Sequence, residues 1–551
     1  MSKPPTPPEH SLPSYGEPTP ETKRKMTRED EAELALGRTD FSPGAQTLLI
    51  VAFLVTIMTV IAAQIIARQT VFEMPGVLPP SAKVRAARSP GDFWELIPKA
   101  EHIKAAEKDL EKLSVIAKAL RPRVQGVLTG MLHSGTEQAF VGRDGWLFYR
   151  SDVEYVTGPA FLDPARLRQR AHDAHVQPDP VKGIVHFRDQ LAKRGIELIV
   201  MPMPVKPCIE GEKLGARAGT ALHNVSHAEF LALLAAAKVR VFDPTPLLMS
   251  RKPAPQYLET DTHWRPDAME FIAQKLAVEI QSGAAAESPV AEKQIAALGD
   301  IAGLLGLPES QQYFRPQTVT IHQVPAGTGL WRPSADAGVL LLGDSFANIF
   351  SLEAMGWGEA AGFAEHLSRA LGKPLDCILR NSDGSFATRE QLQRELALGR
   401  DRLAGKKIVV WEFAARELSI GDWKLLPLDL GTPPPSKFFT PEPGHEKTIT
   451  GTVAAISSVP RPGTVPYAEH ILTAHLVDLD GADATQALVC TWSMSAQKWT
   501  SAARLRPGDR VKLKVRAWSD VSAQYEKINR SELSDTALQL EEPVWGEIIE
   551  R

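Results

Sequence analysis

The chain has 551 residues, 43% of them hydrophobic, which is enough for two or three folded domains. A formal net charge of −4 gives no overall basic field and argues against nucleic acid as a partner. Three cysteines, Cys208, Cys377 and Cys490, are odd in number and lack metal-ligand spacing, so they imply neither a disulfide framework nor a thiolate metal site.

Residues 1–44 are rich in Pro, Glu, Lys, Ser and Thr, and are predicted to be a disordered tail. Thr47 to Ala63 then reads TLLIVAFLVTIMTVIAA without a charge. Extended to 45–67, the run reaches the ~20 residues that cross a bilayer, which predicts a transmembrane helix. It lies too deep in the chain for an ordinary signal peptide and lacks a small-x-small cleavage site, so the anchor is expected to stay uncleaved. Arg28 and Arg38 flank one side, and Arg68, Lys83, Arg85 and Arg88 the other, so charge sets no orientation. A linker is expected at 68–99. Apolar residues at helical spacing predict a helix at 100–121. Gly142 to Tyr149 reads as a turn followed by an aromatic strand.

An α/β alternation begins near residue 181. Helices are predicted at 181–194, 228–237, 266–280, 358–371 and 389–397. Strands are predicted at 196–203, 239–242, around Leu340, at 375–379 and at 408–413. Strands alternating with helices define a doubly wound parallel sheet, and the predicted domain spans 100–426. A proline-rich linker follows at 427–446. Candidate strands at 448–457, 471–479, 487–492, 510–518 and 537–540 make 447–551 a small all-β domain, an OB-like barrel or a sandwich. For that domain a structural or docking role and glycan binding stand side by side.

Two stretches carry chemistry. Val339 to Phe346 is a buried strand that breaks at Gly343-Asp344 and places Ser345 at the carboxyl edge of the sheet, before a helix. Ser345 either caps that helix or acts as a nucleophile, with helix-end N–H groups positioned for an oxyanion. A serine hydroxyl needs a base. Asp261-Thr262-His263 supplies one just before a helix opened by Pro266: residues two apart share a side, so Asp261 can orient His263. The alternative is a helix cap beside an incidental histidine. No further His, Cys or Glu stands at ligand spacing around His263, and a Gly-rich phosphate loop is absent, so neither metal nor cofactor is expected. Lys206, Trp264, Asn381, Arg389 and Arg416 are weaker candidates for binding substrate. Lys206 is alternatively a solvated loop lysine, Trp264 an indole packed beside the histidine and Arg416 a surface salt bridge, and for Asn381 and Arg389 the role of oxyanion donor stays open.

The set GRDGWLFY (142–149), MPMPVKP (201–207), DTHW (261–264), LLGDSF (341–346) and VVWEFAARELS (409–419) resembles the SGNH-hydrolase-like domain of the alginate O-acetyltransferase family of AlgJ and AlgX. The likeness covers roughly residues 100–425. It shares with that family an Asp-x-His placed ahead of the Gly-Asp-Ser. The resemblance implies Ser345 as nucleophile, His263 as base and Asp261 as its orienting partner. It also implies an anchor in the inner membrane, a catalytic domain facing the periplasm or cell exterior, and a membrane-bound O-acyltransferase partner that supplies acetyl groups. The C-terminal β region does not match the carbohydrate-binding module of AlgX, which leaves the polymer open. The function expected is O-acetylation of an exopolysaccharide. The rivals are a carbohydrate esterase with the same three residues and a non-catalytic glycan-binding subunit of an export complex.

Overall fold

The structure is a computed structural model that describes residues 42–66 and 115–550, apart from short stretches at 173–175, 218, 282–285, 287, 309–312, 327–328, 382–383, 433–437, 463–464, 466, 534, 536–537 and 539–540. The chain divides into two units, Met1–Gln69 and Thr70–Arg551. In the first, Pro43–Ile66 is a helix of 24 residues. The transmembrane helix expected at 45–67 is not supported there. The side chains described on this helix end at Thr59, and among the described residues no helix is long and apolar enough to cross a membrane. The tail expected at 1–44 and the linker expected at 68–99 fall outside the described residues, save for 42–44. So does the first part of the helix expected at 100–121; the described part runs from Val115 through Pro122 to Leu132.

The second unit is built on a parallel sheet of β1 (Glu197–Met203), β2 (Arg240–Val241), β3 (Val339–Gly343), β4 (Asp376–Leu379) and β5 (Ile408–Ala414), in the order β4-β3-β5-β1-β2. The last strand in sequence, β5, lies between β1 and β3, so Trp411 pairs with Val200 on one side and Leu342 on the other. Nearly every residue of β1, β3, β4 and β5 is buried, whichever face its side chain takes. Unbroken apolar runs are what a sheet covered on both faces requires. Helices α1 (Pro180–Lys193), α2 (Pro266–Gln281), α3 (Phe363–Leu371) and α4 (Ala387–Ala397) supply the cover. Phe187 of α1 meets the Trp411 ring edge-on at 5.4 Å, and the Arg389 guanidinium of α4 lies 4.6 Å from the same ring. On α3, the expected start at 358 moves to Phe363, because Gly358 and Ala360 take φ of +95° and +52° and cannot continue a helix. The antiparallel pair Ala291–Ala297 and Gln317–Gln323, with mixed polar sequence, was not foreseen.

The connection after residue 427 carries no helix or named strand among the described residues until β6 (Glu446–Ile456). Strands β7 (His470–Asp480), β8 (Gln486–Ser495), β9 (Arg510–Ala517) and β10 (Val544–Glu550) follow. They pair in the ring β6-β7-β8-β10-β9-β6, with β8 and β10 parallel, so the domain is a closed barrel and not a sandwich. The strand expected at 537–540 lies outside the described residues, save for 538, and the last strand among the described residues is Val544–Glu550. Alternating burial along β9 fills the barrel interior with Val511, Leu513 and Val515.

Candidate active site

The Ser345 turn lies at the carboxyl edge of the parallel sheet, where open α/β sheets bind ligands, and Asp261 and His263 line the same cavity. β3 ends at Gly343, Asp344 caps the next turn, and Ser345–Asn348 forms a single helical turn. The Asp344 carboxylate accepts from the N–H of Phe346 at 2.8 Å and from that of Ala414 on β5 at 2.8 Å. The N–H of Phe346, a helix-end donor expected to serve an oxyanion, is thus already used. The Asp344 N–H donates to Glu412 Oε2 at 2.9 Å. Burial and the neighbouring Asp344 charge push the Glu412 carboxyl well above its ordinary range, which favours the neutral acid beneath the serine turn.

His263 lies in a hairpin-like loop. A bridge joins Tyr257 to Trp264, and the Leu258 N–H donates to the His263 carbonyl at 3.0 Å. His263 Nδ1 is 2.7 Å from Asp261 Oδ1, which also accepts the His263 backbone N–H at 3.0 Å. Asp261 Oδ2 accepts from Trp357 Nε1 at 2.8 Å and from the Asp300 N–H at 3.0 Å. Burial raises the Asp261 carboxyl, but the bond and charge of His263, with those two N–H donors, outweigh it and hold the pKa low, at about 2. Burial lowers His263, yet the Asp261 bond and charge, with the charges of Asp300 and Asp344, leave it above its ordinary value. The other imidazole nitrogen, Nε2, is buried and has no hydrogen-bond partner among the described residues.

The two loops meet through aromatics. The Phe346 ring, next to Ser345, packs edge-on against His263 at 4.9 Å, and Trp264 Nε1 donates to the Phe346 carbonyl at 3.0 Å. A cavity of about 410 Å³ is lined by Ser345, His263, Asp261, Asp344, Asn381 and Arg416, among others. Asn381 Oδ1 accepts from Asn348 Nδ2 at 3.1 Å, which turns its own amide N–H₂ toward the weak acceptor Met355 Sδ at 3.6 Å. Arg416 pairs with buried Asp152 at 2.9 Å and stacks over Tyr149 at 5.4 Å.

Three expected binding residues lie elsewhere. Lys206 is fully buried, and its ammonium donates to the carbonyls of Leu147, Glu259 and Asp261 at 2.6, 2.8 and 3.0 Å. Burial draws its pKa down to about 7 against nearby carboxylates, but three carbonyls match the three N–H bonds of the charged form. It ties the Asp261 loop to the strand at Leu147–Tyr149 and is outside the cavity lining. Trp264 is wholly buried and packs beside the histidine. Arg389 is buried on Trp411, donates to the Lys424 carbonyl at 2.8 Å, and does not reach the cavity as an oxyanion donor. Sequence reasoning missed Asp300, Trp357 and Glu412. An acid at a helix start, an isolated indole and a strand carboxyl send no local signal of a shared site.

Asp261, His263 and Asp300 offer ligand atoms within 4.8 Å of one another. A cation fits them poorly, because both Asp261 oxygens and Asp300 Oδ1 already accept N–H donors that it would displace.

A sheet-edge serine turn sharing a cavity with an aspartate-held histidine is the arrangement of an SGNH hydrolase-like domain. Residues 139–415 match the family model described as "SGNH hydrolase-like domain, acetyltransferase AlgX", and the chain belongs to that family. Among curated relatives, the probable alginate O-acetylase AlgJ of Pseudomonas aeruginosa is 26% identical over 308 residues, covering 52% of this chain and 72% of the relative. The corresponding protein of Pseudomonas fluorescens is 31% identical over 149 residues, covering 27% of this chain and only 34% of the relative. Among solved structures, the O-acetyltransferase domain of Pseudomonas putida AlgJ is 25% identical, covers 52% of this chain and 93% of that chain, and has a TM-score of 0.37.

Proposed function

We propose that the chain transfers acetyl groups to hydroxyls of an exopolysaccharide through Ser345, His263 and Asp261. The observation that carries this reading is His263, held by Asp261 through Nδ1 and left without a partner at its buried Nε2 among the described residues, in the wall of the same cavity that Ser345 lines. In the first half-reaction Ser345 Oγ attacks an acetyl carbonyl. Its proton passes to His263 Nε2 and then to the leaving group, and an acetyl ester forms on Ser345. In the second, a sugar hydroxyl gives its proton to His263 and attacks the ester. The C–Oγ bond breaks and Ser345 regains the proton. Asp261 keeps its charge throughout and stabilises the imidazolium. Asn381 Nδ2, held among the described residues only by a thioether, swings to the developing oxyanion at small cost. The polymer is proposed from the relatives named alginate O-acetylases. The 45–67 segment serves as a single-pass inner-membrane anchor, with the catalytic unit on the periplasmic or outer side, and a membrane-bound O-acyltransferase delivers the acetyl group.

The test is the acetyl content of polymer made by cells carrying the parent chain or Ser345→Ala. The variant is expected to lower acetylation by ~10⁴-fold or more. Intact acetylation would support the scaffold reading. Acetate release from a donor ester with no acetylated sugar would support the esterase.

A further inference from the structure

The family match ends at residue 415, so the β6–β10 barrel is unaccounted for. Its strand order is that of an OB fold, which grips oligosaccharides and oligonucleotides with the loops between its first and second strands and between its fourth and fifth. Here those loops are 457–469 and 518–543. Both reach the catalytic cavity: Val465 and Tyr467 from one and Asn529 from the other line it together with Ser345 and His263.

The second loop is pinned against the catalytic domain on either side of Asn529. Gln391 donates to Glu526 at 2.8 Å, Arg380 donates to the Arg530 carbonyl at 3.2 Å, and Arg394 pairs with Glu532 at 2.9 Å. Asn529 is 7% exposed, and its backbone carbonyl accepts from the Ile471 N–H at 2.9 Å. Its side-chain Oδ1 nevertheless has no hydrogen-bond partner among the described residues. A buried amide oxygen without a partner, on a residue that lines the cavity, is a group that a ligand hydroxyl could satisfy. Tyr467 stacks on His470, ring centroids 6.0 Å apart and planes at 19°, which sets a flat amphipathic ring at the same wall.

We propose that the barrel supplies the acceptor subsite: a sugar unit of the polysaccharide donates a hydroxyl to Asn529 Oδ1 and lays its apolar face on Tyr467, next to the unit that is acetylated. The proposal rests on the acyl-transfer reading of Ser345. A sugar held there gains effective concentration over water, which turns the acetyl-enzyme toward transfer.

The full chain is given a small acetyl ester with short oligomannuronates, cello-oligosaccharides and chito-oligosaccharides. Acetate release, sugar acetylation and the acetyl group on the Ser345 peptide are measured. Asn529→Ala is expected to raise the acceptor KM and lower the ratio of transfer to hydrolysis by about tenfold. Tyr467→Ala acts in the same direction, and Asn529→Asp, which keeps an acceptor oxygen, retains most of the ratio. An unchanged ratio and KM in both alanine variants overturns the subsite. A parent that acquires acetyl on Ser345 yet acetylates none of these sugars overturns it too. A parent that never acquires the acetyl takes down the serine reading, and the subsite with it.

Discussion

Asp261 spends its carboxylate on four N–H donors: the ring and backbone of His263, the indole of Trp357 and the backbone of Asp300. That saturation keeps it charged, and its charge keeps His263 above the ordinary histidine value of about 6.5. In the proposed transfer the neutral imidazole is the base, so transfer should rise with pH through a midpoint above that value. Asp261→Asn removes the charge and the charge-assisted bond, leaving burial opposed only by the charges of Asp300 and Asp344. Its acid limb should therefore move to lower pH, while the plateau falls by ~10⁴-fold as the tautomer is lost. A pH–rate profile checks both, and an unmoved midpoint would mean that another group titrates. The Asp261–His263 partnership was legible because two residues two apart in one loop share a side. Trp357 and Asp300 arrive from other segments, so no local pattern announces them.

The loop carrying Asp261 is held as an element. Lys206 ties down three carbonyls, the Tyr257–Trp264 bridge closes its ends, and Gly299 presses against it from outside. A Cβ on Gly299 would lie 2.4 Å from the Thr260 carbonyl and 2.5 Å from Asp261 Cβ. Gly299→Ala should therefore displace the carboxylate and cost roughly 1–3 kcal/mol of stability. Acetyl transfer should fall by about 10²-fold, as a misplacement of about 1 Å at a reacting centre does. Thermal unfolding and kcat on one preparation separate the two effects. Full activity would show that the loop yields without moving Asp261. Strands β1, β3 and β5 were legible as apolar runs. Lys206 was misjudged because a lysine after a strand looks solvated until the carbonyls that claim it are in place.

Across the molecule, the barrel is joined to the catalytic domain by buried charge. Glu532 pairs with Arg394 at 2.9 Å and Arg530 at 3.1 Å, with Arg380 at 3.8 Å. Burial would raise its carboxyl, but those guanidiniums hold it down, at about 2. An unfolded glutamate titrates near about 4.3. The stabilisation is therefore complete above that value and is lost as pH falls toward 2. Glu532→Gln leaves three guanidiniums without their carboxylate and should cost roughly 3 kcal/mol. The loss should appear as a lower Tm at neutral pH and should shrink as the parent is acidified. A Tm gap that persists at low pH would point to packing as its cause.

Apolar runs, turn residues and the Asp-x-His and Gly-Asp-Ser stretches settled the α/β class, the β nature of the C-terminal region and the candidate serine and histidine, because each is written in neighbours a few positions apart. The position of β5 between β1 and β3, the closure of the barrel, the withdrawal of Lys206, Trp264 and Arg389 into the core and the arrival of Asn529 at the cavity came from packing alone. Those outcomes depend on which distant surfaces bury one another, and burial between remote segments leaves no periodicity in the chain.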